Sequence, residues 1–101
     1  MIPLADVKQY MRLDDDLIED DRLIQDLIVA ATKFLEQTTG KAYADDSTLY
    51  SLAVKMLVCH WYENRSIYST KTSVNDLPLS LQAIINHISL SGYYAPLEVI
   101  P

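Results

Sequence analysis

Apolar residues in this chain recur at intervals of three and four, the period of one face of an α-helix. The most apolar stretch of helical length is 48–65, TLYSLAVKMLVCHWYENR, in which Leu49, Leu52, Ala53, Met56, Leu57, His60 and Trp61 share a face. Val54, Val58, Cys59 and Tyr62 widen that face, so this helix has to be enclosed by others. Its polar strip is short: Ser51, Lys55, and then Glu63, Asn64 and Arg65 at the end.

The elements before and after it follow from the same pattern. Leu4, Val7 and Met11, with Tyr10 beside them, predict a short first helix starting near Pro3, whose missing N–H costs nothing in a first turn. Asp14, Asp15 and Asp16 form the turn out of it. A second helix is expected from about Asp16, because Asp16 and Glu19 stand at capping-box spacing and Glu19, Asp20 and Asp21 suit the positive end of the helix dipole. Leu17, Ile24, Leu27, Ile28, Ala31, Phe34 and Leu35 hold one side of it, opposed by Asp26, Lys33, Glu36 and Gln37. Gly40 stops it by taking positive φ, after about 22 residues or roughly 33 Å. The connector KAYADDS offers Asp46 or Ser47 as cap for the central helix, with the Tyr43 ring folded back onto the core. After the central helix comes a polar loop, 66–76, SIYSTKTSVND, long enough to be a working surface. Leu77-Pro78 then restarts helix with Pro78 at its first position, Leu81, Ile84, Ile85 and Ile88 on one face, and Gly92 as its end. The remaining residues, YYAPLEVIP, are cut by Pro96 and expected to be extended. An apolar tail of this kind needs a surface to dock on.

The expected fold is therefore all-α: a small bundle of about four helices around a central apolar helix, with a long polar loop and an extended C-terminal tail. Residues 1–92 form the helical domain and 93–101 the tail. At 101 residues the chain has room for one core, and 50% hydrophobic content is far above that of disordered chains. The net charge of −6, with eight of the fourteen acidic residues in the first 26 positions, opposes the basic patch that non-specific nucleic-acid binding needs. A single cysteine rules out an intramolecular disulfide and suits a reducing compartment. With no secretory leader pattern and no apolar run near the ~18 residues of a membrane span, a soluble protein made in the cytoplasm is expected.

Candidate chemistry was weighed against packing. The cluster Asp14, Asp15, Asp16, Glu19, Asp20, Asp21 lacks the central glycine and terminal bidentate glutamate of a calcium loop, and helix capping accounts for it. A metal-dependent hydrolase built on it lacks a second converging ligand group. Cys59 and His60 are neighbours about 100° apart on a helix and cannot share a tetrahedral metal from one regular face. Cys59, in the most apolar run, is expected to have a raised thiol pKa and low reactivity. Trp61, Tyr62 and Tyr68 lack the basic groove of a single-strand stacking platform. No catalytic residue, cofactor or metal is expected.

The apolar approach to HWYENRS at 60–66, the preceding amphipathic helix closing in TTGK at 38–41, and the Leu77-Pro78 helix start after a polar loop together resemble the small head-tail connector proteins of tailed bacteriophages, also called adaptor or DNA-packaging proteins. The resemblance runs from about Pro3 to Ile88. It implies a structural virion protein at the head-tail junction, made in the host bacterial cytoplasm. Its expected partners are further copies of itself in a dodecameric ring, the portal protein, the next neck or tail-completion protein, and genomic DNA that passes through the channel without specific binding, with no membrane. Glu63, Arg65, Tyr68, Lys71, Tyr93, Tyr94, Leu97 and Ile100 are the expected subunit or partner contacts. The alternative is a non-viral intracellular module that recruits one protein through its loop and tail.

Overall fold

Among the described residues there are four helices: α1 (Leu4–Tyr10), α2 (Asp21–Thr39), α3 (Thr48–Glu63) and α4 (Leu79–Leu90). The computed structural model describes residues 2–14, 18–44, 47–63, 77–92 and 94, and no strand occurs among them. The loop at 66–76 and the tail beyond Tyr94 lie outside the described residues, as do Asp16 and Leu17.

Helix α3 is enclosed as its pattern requires, packing against α1, α2 and α4. Helix α2 also touches all three others, so the centre of the bundle is a pair of helices. Ile24, Leu27, Ile28, Ala31 and Leu35 of α2 meet Ala53, Val54, Leu57, Val58 and Trp61 of α3, with Val7 of α1 and Leu81, Ile85 and Ile88 of α4 completing the core. The buried stripe of α3 is turned slightly from the expected one. Tyr50 is fully buried and Leu52 is 36% exposed, because the inward positions are 50, 53, 54, 57, 58 and 61.

Three helix boundaries differ from expectation. Helix α2 starts at Asp21, later than expected, and Asp20 at its cap position makes no side-chain capping bond. The Asp20 carboxylate accepts the Tyr62 hydroxyl from α3. The helix is 19 residues long, and Ile18 before it is 70% exposed. Helix α4 begins at Leu79 with Pro78 as the extended residue before it, and it ends through Ser91 at φ −80° and ψ 137°. Gly92 is not its stop, because only Gly40 among the described glycines has positive φ. Gly40 does end α2, at φ 72°, with its N–H donating to Glu36 O at 2.9 Å.

The corner between α2 and α3 is tied at several points. Tyr43 N–H donates to Glu36 Oε2 at 2.9 Å, and the Tyr50 hydroxyl donates to Lys41 O at 2.9 Å. Ser47 caps α3, its Oγ accepting from Tyr50 N–H at 3.1 Å. The Tyr43 ring packs edge-to-face on Tyr50, with centroids 5.1 Å apart, as its position in the connector predicts.

Candidate functional site

The acidic segment before and into α2 is used for holding the helices together. Lys8 of α1 is only 4% exposed, and its ammonium donates to Asp21 Oδ1 at 2.9 Å. Asp20 binds Tyr62, so neighbouring carboxylates anchor α1 and α3 to the start of α2. Asp14 and Glu19 are exposed. Among the described residues no three His, Cys, Asp or Glu side chains form a group that could hold a metal ion.

Also toward the C-terminal end of α3, the structure brings together side chains that spacing alone did not group. Tyr10, Met56, Cys59, His60, Glu63 and Pro78 line a surface depression of about 240 Å³. Here the Cys59 thiol donates to Glu63 Oε1 at 2.9 Å. Burial, and then the Glu63 carboxylate, push the thiol pKa up to about 11, so it is a protonated, weakly nucleophilic group at neutral pH, as its apolar context predicts. His87 stands exposed on α4 and does not line this depression. A wider depression of about 530 Å³ along α1 is bordered by Asp6, Gln9, Arg12 and Asp14.

Of the aromatic residues that could have formed a stacking platform, Trp61 and Tyr62 belong to the fold. Trp61 is 4% exposed and packs edge-on against Phe34, with centroids 5.6 Å apart. Tyr62 holds Asp20. Of the expected contact residues, Glu63 is exposed at the end of α3 and Tyr94 is 7% exposed. The Tyr94 hydroxyl shares a 2.6 Å hydrogen bond with Ser47 Oγ, and its ring stands 5.5 Å edge-to-face from Tyr50. Its side chain is thus turned into the chain's own core. Arg65, Tyr68, Lys71, Tyr93, Leu97 and Ile100 lie outside the described residues.

Sequence reasoning missed Lys8, Tyr50 and the Ser47–Tyr94 pair. For Lys8 a signal existed, since it follows Leu4 by one helical turn on the apolar side of α1, where a cation needs an acidic partner. Nothing local marks Tyr94 as the partner of a residue 47 positions earlier.

What the site contains is a set of interhelical ties and a shallow surface, and the comparison with known families agrees with that character. A family model described as phage gp6-like head-tail connector protein matches residues 1–88. The chain belongs to this family of phage head-tail connectors. No curated protein and no solved structure matches it. In the connector, the matched region spans α1 to α3 and reaches Ile88 in α4, so the Tyr94 anchor lies beyond it. The family is one of structural connectors, and no described helix of this connector is long and apolar enough to cross a membrane.

Proposed function

We propose that the connector is a non-enzymatic virion protein that assembles as a ring, dodecameric on its portal, beneath the phage head and leaves a channel for the genome. The observation that carries this reading is the family match over residues 1–88. Two physical features support it. Three groups that could have carried chemistry are engaged in the fold: Asp21 on Lys8, Asp20 on Tyr62, and Cys59 on Glu63 with its thiol held protonated. The net charge of −6 suits a conduit, because like charge discourages DNA from sticking to the wall.

The partners are then further copies, the portal protein and the next neck component, with DNA passing unbound. Ring contacts are heterologous, one surface of each copy meeting a different surface of the next. Glu63, with Arg65, Tyr68 and Lys71 after it, is the proposed partner-facing polar segment. Because Tyr94 is anchored at the start of α3, a partner contact made by the tail is proposed for Tyr93, Leu97 and Ile100. Mass measurement of the purified connector, alone and with portal particles, tests the proposal. Ring-sized assemblies on the portal are expected, and a strict monomer that never binds portal particles overturns it.

A further inference from the structure

Helix α4 turns Leu81, Ile85 and Ile88 into the core. Its opposite side carries Leu79, Ser80, Ala83, Asn86, His87 and Leu90, all exposed. At 3.6 residues per turn these six fall within one arc of about 120°. None is Asp, Glu, Lys or Arg, whereas the outer side of α2 exposes Arg22, Asp26 and Lys33. Leu90 and Leu79, at 87% and 82%, are the two most exposed of the large apolar side chains among the described residues. A single exposed leucine needs no explanation. Two at the ends of one charge-free arc form a surface depleted in the way interface cores are. At its N-terminal end the arc adjoins the depression at the end of α3, because Pro78 and Ser80 border that depression.

Charge decides what this surface suits. Two copies of a chain with net charge −6 repel, so they can meet at low cost only where charge is sparse and little has to be desolvated. A basic partner would be drawn instead to the acidic faces. We infer that the outer face of α4 is where a second copy of this chain docks. The inference rests on the ring reading above and adds the surface that makes the contact. Twelve residues of α4 give a strip of about 18 Å by 10 Å, far below the ~800 Å² per partner of a stable interface. Each pairwise contact is therefore weak and gains strength from ring closure on a template.

The test compares wild type with Ala83→Glu/Leu90→Glu by sedimentation velocity over rising concentration, and by counting copies bound to portal particles. Circular dichroism and the thermal midpoint check the fold, and Leu90→Glu alone serves if the double variant melts early. Wild type is expected to associate as concentration rises, and the variant to need at least about tenfold more protein and to decorate portals incompletely. Association of the variant at wild-type concentrations overturns the α4 surface and leaves the ring reading standing. A wild type that stays monomeric and never binds portals overturns both, and one that binds portals only as isolated copies overturns the docking of copies on α4.

Discussion

Ser47 and Tyr94 share a 2.6 Å hydrogen bond between the residue that caps α3 and the last residue described in the chain. Because Ser47 Oγ also accepts Tyr50 N–H, the hydroxyl that starts the central helix is the one that fastens the root of the tail. Ser47→Ala removes both bonds, so it should cost about 2 kcal/mol. Tyr94→Phe keeps the ring and the cap and should cost about 1 kcal/mol. In urea titrations followed by the fluorescence of Trp61, the double variant should cost less than the sum of the two. Strict additivity would show that the two side chains do not meet in solution.

The Lys8–Asp21 pair should respond asymmetrically. Asp21→Asn removes a countercharge from the buried Lys8 ammonium and is expected to lower stability by about 1–2 kcal/mol, short of the full buried-pair range because Asp21 is 30% exposed. Lys8→Met puts an apolar chain of similar length in the same place and leaves a carboxylate that water can reach, so its cost should stay below about 1 kcal/mol. Equal losses in chemical denaturation would mean that Lys8 is solvated.

The Cys59 thiol titrates at about 11, above its ordinary 9.0, through burial and then Glu63. The fold favours the protonated form, so the stability from this shift is fully present below pH 9 and is lost as pH rises toward 11. Tyr50, pushed up to about 12 mainly by burial, adds a loss of the same sign above pH 10. Alkylation by iodoacetamide at pH 8 should be slow and should accelerate in Glu63→Gln, which removes the charge beside the thiolate. An unchanged rate in that variant would assign the shift to burial alone.

Gly40 and Arg12 occupy the left-handed region at φ 72° and 60°, and they should answer substitution in opposite directions. A Cβ at Gly40 meets nothing within 4 Å, so Gly40→Ala tests backbone conformation alone and should cost about 1–2 kcal/mol. Arg12 ends α1 with its N–H on Gln9 O, while Leu13 N–H reaches Lys8 O, a pairing that glycine fits more easily. Arg12→Gly is expected to raise stability by up to about 1 kcal/mol, and thermal melting of both variants checks the pair.

The legible part of the fold is the part written in local periodicity. The stripes from Ile24 to Leu35 and from Leu81 to Ile88 are buried where their spacing puts them, and Gly40 stops α2 because the left-handed conformation there suits a residue without a side chain. Asp16 and Glu19 read locally as a helix start, yet the helix begins at Asp21. Propensity and capping are worth about 1 kcal/mol each, so local signals fix such a boundary only loosely.

By itself the sequence determined an all-helical chain, the apolar stripes of its long helices, the low reactivity of Cys59 and a likeness to phage connectors that the family match bears out. Tertiary structure alone decided that Lys8 is buried on Asp21, that Tyr94 closes the cap of α3, and that Leu79 and Leu90 stand exposed on α4. The division has a physical cause. Helical period and turn chemistry act over three or four residues, whereas the partner of a buried polar group is fixed only when segments tens of residues apart pack and exclude water.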